Sequence, residues 1–302
     1  MPQPTPGNWL AIAALGLIWG GTFMVISVAL QGYGPVTVAT ARTTLGALAL
    51  VALVQVLDRP WPKMTRRMVA HLVPIGVLSS ALPFFLLSWG QQYVTSAYAG
   101  LNMAALPLIV LPLAHFFADE PLTLRKSLGF GVGFGGAAIL IGAGIFESDG
   151  ATMEPLARLA CLGAVTSYAC SSILTRRCPP IDTIVLSALG LVIGSAMLLP
   201  AMLVVEGVPG WVPGWPGWAI LFLGLVPTGL AALLRVSVIR SAGATFMTLV
   251  NYQVPVWSMI FGVWVLSEAL PLRFFAALAL ILTGLAISQW AGLRRLFGSR
   301  AQ

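Results

Sequence analysis

Charge is what this 302-residue sequence has least of: Asp, Glu, Lys and Arg make up 8% of it, against 58% hydrophobic residues. A soluble domain carries about 25% charged residues. With so few, the chain cannot cover a water-facing surface of its size, and most of its surface must meet lipid. Cysteine is also scarce. Cys161, Cys170 and Cys178 form no CxxC pair, so neither a disulfide framework nor a zinc ligand set follows, and they read as small apolar thiols. The two histidines, His71 and His115, fall near the ends of apolar runs, and the sequence has no HExxH, no buried Asp pair and no P-loop. An enzyme needs a nucleophile with a base, or metal ligands, placed together, and an ATP-driven pump needs the P-loop. Neither is expected, nor is any metal or cofactor. No stretch is long enough for a soluble signalling domain, which argues against a sensor subunit. One motif match fails on context. Gly131-Val132-Gly133-Phe134-Gly135-Gly136 fits GxGxxG, but it lies inside an apolar run with no strand before it, as dinucleotide binding requires. The same glycines suit close helix packing through Gly129/Gly133 and Gly131/Gly135.

What the sequence does have is long apolar runs. Ten can be marked, at about residues 8–31, 36–57, 69–92, 95–117, 123–144, 156–175, 181–205, 217–239, 243–266 and 272–293. A membrane-spanning helix needs about 20 such residues. The first run follows an uncharged start and is longer than a signal-peptide core, so it reads as a retained span. The connections are short and rich in Pro and Gly, so any chemistry takes place within the membrane. The expected class is an all-α polytopic membrane protein with ten transmembrane helices.

The formal net charge of +7 is explained by topology rather than by nucleic acid. With the first residues placed in the cytoplasm, 13 of the 16 basic residues fall in inward connections or the C-terminal tail, among them Arg59, Lys63, Arg66, Arg67, Arg125, Lys126, Arg176 and Arg177. Glu147, Asp149, Glu154 and Glu206 fall outside. That is the positive-inside pattern, and it places both termini in the cytoplasm of a bacterial-type inner membrane. Trp211, Trp215 and Trp218 read as an outer aromatic belt.

The chain repeats itself. Pro107 matches Pro255 and Glu120 matches Glu268, each pair 148 positions apart, and Asn102 and Asn251 correspond to within one position. The halves, 1–148 and 149–302, hold five spans each. Five is odd, so the second half enters the membrane upside down relative to the first. Inverted repeats of this kind mark secondary transporters, where two related gates flank one midplane site.

Several short patterns recur in order: Trp19-Gly20-Gly21-Thr22-Phe23 in the first span, Gly34-Pro35 followed by Arg42, then Ser88-Trp89-Gly90-Gln91-Gln92-Tyr93, Asn102, Pro107 and Glu120-Pro121-Leu122. In this order and duplication the sequence resembles the EamA type of the drug/metabolite transporter superfamily. The resemblance implies ten helices with both ends in the cytoplasm and alternating access without ATP, typically for export of amino acids or other small metabolites. Uptake or exchange of another small organic solute is the alternative. Two positions depart from the pattern: Tyr168 stands where a tryptophan is common, and Arg235 where an aromatic residue is.

Polar side chains inside spans are costly and face a protein-lined or wet interior. The candidates for substrate contact are Arg42, Arg235, Asn102, Asn251 and Gln92, with Trp19, Trp89, Tyr98, Tyr168 and Trp257 as an aromatic wall. Pro107 and Pro255 are the expected helix kinks and gates, since proline frees a carbonyl one turn back. Glu120 and Glu268, each just before a helix start, read as partners of a helix dipole rather than as a proton relay. The expected partners are a small-molecule substrate and the bilayer, with the protein a monomer or weak homodimer.

Overall fold

The computed structural model describes residues 4–117, 122–141, 153–290 and 294, and among these it is wholly helical. Ten helices follow one another. They are α1 Pro6–Ala29, α2 Pro35–Val56, α3 Arg66–Gly90, α4 Ser96–Phe117, α5 Leu124–Ile141, α6 Glu154–Arg177 and α7 Thr183–Val205. After them come α8, assembled from Trp215–Gly224, Leu225–Leu230 and Ala231–Ala242, then α9, Ala244–Met247 continuing as Val250–Leu266, and α10, Leu272–Ser288. Seven are long and apolar enough to cross a bilayer by length and composition, and α9 and α10 are shorter apolar helices. The face where α1 starts is called proximal here and the opposite face distal.

Helix starts are written into the sequence. Pro35 opens α2 in its first turn, where its missing N–H costs nothing. The hydroxyls of Thr5, Thr65 and Thr95 accept from the N–H groups of Asn8, Met68 and Tyr98. The Asp182 carboxylate does the same for Ile184 at 2.8 Å. Gly243 ends α8 with φ of 89°, a conformation that favours glycine.

The helices pair across the two halves. α2 packs on α7, α4 on α9, and α5 on α10, while α1 lies against α8 and α9 and α6 against α3 and α4. Glycine permits the closest of these approaches. A Cβ on Gly194 of α7 would overlap Ser80 of α3, and a Cβ on Gly46 of α2 would overlap Thr228 of α8. These two contacts are one contact made twice, because Gly46/Gly194 and Ser80/Thr228 both stand 148 apart. Gly76 against Ile193 and Gly224 against Leu45 repeat at the same offset.

Between α5 and α10, the expected small-residue stripe is half right. Gly129 and Gly133 meet Gly284, Ser288 and Leu108. Gly131 and Gly135 instead face open space, since they lie on the other side of the helix. A Cβ on Gly284 would stand 2.7 Å from the Gly133 Cα, so backbone would have to move. Gly284→Ala should therefore lower stability by about 1–3 kcal/mol through overpacking. Gly131→Ala should leave it unchanged or slightly higher, and thermal unfolding in detergent micelles distinguishes the two.

Candidate functional site

Two helices are interrupted at the same place in each half. α3 carries a π turn at Val77–Ala81 and α8 one at Leu225–Leu230, 148 positions on. A π turn inserts a residue and frees backbone groups, and such turns are frequent at functional sites. In lipid those groups must find partners inside the protein. They do. Ser80 Oγ donates to Gly76 O at 2.7 Å and to Gly190 O on α7 at 3.0 Å. Thr228 Oγ1 donates to Leu223 O, five residues back, at 3.0 Å. The Trp19 indole N–H on α1 donates to Pro227 O at 3.1 Å. α4 and α9 are broken as well, by a 3-10 turn at Met103–Ala105 and by a turn at 248–249. Interrupted helices in corresponding positions of two halves point to a binding region between them.

Arg42 lies there. It is buried in α2, with 9% of its surface exposed. Its guanidinium carbon lies 3.8 Å from the centre of the Phe84 ring, which follows the α3 π turn. Tyr168 of α6 packs against the apolar cluster that contains Phe84. The Nε has no hydrogen-bond partner, and among the described residues no carboxylate pairs with the guanidinium. Elsewhere between α2 and α7, Ser195 Oγ donates to Thr44 Oγ1 at 3.0 Å. A ring face beneath a cation contributes about 0.5–2 kcal/mol and uses none of the N–H groups of the fork.

The remaining sequence candidates do not all gather here. Arg42 and Tyr168 come together, and Trp19 braces the α8 π turn. Tyr98 is buried in α4, its ring 6.1 Å from Phe274 and 5.8 Å from the Arg158 guanidinium, which is paired with Glu154. Asn102 Nδ2 donates to Tyr98 O at 3.3 Å, so it is engaged with its own helix. Asn251 is half-buried just after the α9 break. Trp257 stacks on Phe261 at 5.8 Å and is seated on Gly20 of α1. Arg235 is exposed on α8. Trp89 pairs with Tyr93 at 5.4 Å, at the distal end of α3. Gln92 lies in the exposed turn after α3 rather than within a span. The neighbouring Gln91 is the buried one, and its Oε1 accepts from Ser27 Oγ.

Pro107 follows the 3-10 turn at Met103–Ala105 directly. Pro255 lies within the continuous segment Val250–Leu266. The α9 break precedes it, and helix resumes across the proline. Glu268 does favour a helix dipole, though not that of the helix that follows it. Its carboxylate accepts from Ser96 N at 2.7 Å and Ala97 N at 3.0 Å at the start of α4. Glu206 does the same at the start of α2, accepting from Val36 N at 3.0 Å and Thr37 N at 2.8 Å. Glu120 lies outside the described residues. Phe84, the π turns and the role of Glu206 went unread in the sequence, although Gly46/Gly194 and Ser80/Thr228 carried a signal at the 148 offset. Replacing Trp19 by Phe should leave Pro227 O unpaired and lower thermal stability by about 1 kcal/mol. Circular-dichroism melting checks this.

Known proteins of the same length and pattern exist. Over 288 residues the chain is 24% identical to an uncharacterized transporter, YoaV, of Bacillus subtilis, covering 95% of this chain and 98% of that one. A probable terminal-alkyne amino-acid exporter of Streptantibioticus cattleyicolor is 25% identical, covering 97% and 95%. A WAT1-related protein of Arabidopsis thaliana is 23% identical, covering 93% and 84%. A crystal structure shares the fold with a TM-score of 0.66 and 19% identity, over 95% of this chain and 99% of that one. The profile of the EamA-like transporter family matches twice, at residues 5–142 and 155–289. With the helix count, the paired interruptions and these two matches together, the chain belongs to the EamA-like transporter family and is an integral membrane transporter.

Proposed function

We propose that this protein exports amino acids or related small carboxylate-bearing metabolites by alternating access, with 1–148 and 149–302 as its inverted repeats. The proximal face lies in the cytoplasm of a bacterial-type inner membrane, as the distribution of Lys and Arg favours. The observation that carries the substrate class is Arg42, a cation nine-tenths buried in mid-helix with Phe84 beneath it. A fixed charge at such depth is expensive and marks a substrate pathway. A planar guanidinium also matches a carboxylate through two parallel hydrogen bonds. The Streptantibioticus relative, named as a probable amino-acid exporter, agrees with this substrate class.

Purified protein reconstituted in liposomes, loaded with a labelled panel of amino acids and the matching amines without carboxylate, tests the reading. Saturable efflux of carboxylate-bearing members is expected, with the amines retained. Arg42→Ala should cut efflux at least about tenfold, the equivalent of 1.4 kcal/mol, because losing one partner of a buried charge pair typically costs more than that. Arg42→Lys should fall between the two, since it keeps the charge and loses the flat fork. Efflux that persists undiminished in Arg42→Ala discards the site. Failure of every panel member to move discards the amino-acid class.

A further inference from the structure

At the distal face, two helix starts of the first half are held by carboxylates of the second. Glu206 leaves the end of α7 and takes the Val36 and Thr37 N–H groups of α2. Glu268 leaves the end of α9 and takes those of Ser96 and Ala97 on α4. Each is a charge-assisted pair of bonds onto the positive end of a helix. Each carboxylate also sits over a glycine: a Cβ on Gly34 would overlap Glu206, and one on Gly262 would overlap Glu268. α2 depends on this partner, because its own cap residue, Gly34, has no side chain to offer.

The proximal face is built differently at the equivalent place. Asp58 stands 148 positions before Glu206, at the end of α2, and the α7 start is its counterpart target. Asp58 is exposed, and its side chain makes no hydrogen bond among the described residues. The α7 start is capped by its own Asp182, which occupies the position equivalent to Gly34. There Arg59 and Asp182 pair at 3.9 Å, partly exposed on both sides, and pairs of that kind contribute little. At the α2–α7 pair of ends the distal contact is therefore a carboxylate on two backbone N–H groups and the proximal one is not, while the counterpart of Glu268, Glu120, lies outside the described residues.

We infer that Glu206 and Glu268 are the distal latches of the transport cycle: the distal gate opens only when these carboxylates leave the helix starts of α2 and α4. This inference rests on the alternating-access reading above. It makes release of the latches the step that opens the distal face.

Spin labels test it by distance, independently of flux. In a background with Cys161, Cys170 and Cys178 replaced by Ala, one pair is placed at the exposed Gln92 and Ser267, across the α4–α9 latch. A second pair is placed at the exposed Gln31 and Val208, across the α2–α7 latch. Double electron–electron resonance on the protein in lipid nanodiscs reads both. Glu268→Gln should add a population longer by about 5 Å or more, the scale of one helical turn, to the first pair, and Glu206→Gln should do so to the second. Gly262→Ala and Gly34→Ala should reproduce these shifts while leaving the carboxylates in place. The backbone at Gly34, with φ of −69° and ψ of 161°, accepts alanine without strain. Distance distributions unchanged by all four substitutions would overturn the latch and show the glutamates to be static caps. Variants that show the distance shifts while the wild-type protein moves no solute would fail the transport reading alone.

Discussion

The constraint on which this structure depends is that a backbone in lipid has to satisfy itself. Each unpaired N–H or C=O in a hydrocarbon core costs several kcal/mol, so an interrupted helix survives only where the protein supplies the missing partner. The two π turns have one. Ser80 and Thr228 close the π turns with their hydroxyls, and the Trp19 indole takes a carbonyl freed near Pro227. Glu206 and Glu268 serve helix starts that would otherwise point four bare N–H groups at one another's neighbours. The polar residues of the interior are thus mostly repairs to the backbone, and the region where repairs are needed is the region where the two halves meet.

Arg42 differs from these. The repairs pair donor with acceptor inside the protein, whereas the guanidinium is stacked on Phe84 with its Nε unpartnered. Phe84 is in reach because the π turn rotates the end of α3 relative to its beginning, and the turn is tolerated because Ser80 binds it to α7 through the space left by Gly194. A small residue in one helix, a hydroxyl in the next and an aromatic ring one turn further on together hold a charge at a depth where charge is rare.

The ten spans were legible in the sequence because a run of apolar residues survives any local irregularity. The constant offset between Pro107 and Pro255 was legible for the same reason, being a matter of order alone. The π turns were not, since one inserted residue leaves an all-apolar stretch looking unchanged. Nor was the partner of Glu268. Reading along the chain pairs it with the helix that follows, but the fold brings the start of α4 to it from 172 positions away. Gln92, read as the last residue of the third span, falls two positions beyond the end of α3, and only the fold distinguishes it from the buried Gln91. Gly131 and Gly135 shared the spacing of a packing stripe, and spacing does not say which face of a helix meets its neighbour.

The capping arrangement at the distal face also bears on how a two-fold protein becomes one-sided. Both helix starts gripped there belong to the first half and both carboxylates to the second. Two identical five-helix subunits, packed head to tail, would each have to carry a glycine-capped start and a terminal glutamate, and would close either face equally well. At the α2–α7 pair the roles are divided: Glu206 holds the glycine-capped start of α2, while Asp182, in the place equivalent to Gly34, caps α7 itself. There the halves are not interchangeable. Polarity across the membrane, which a symmetric pair would have to take from its surroundings, is here a property of the covalent order of the chain.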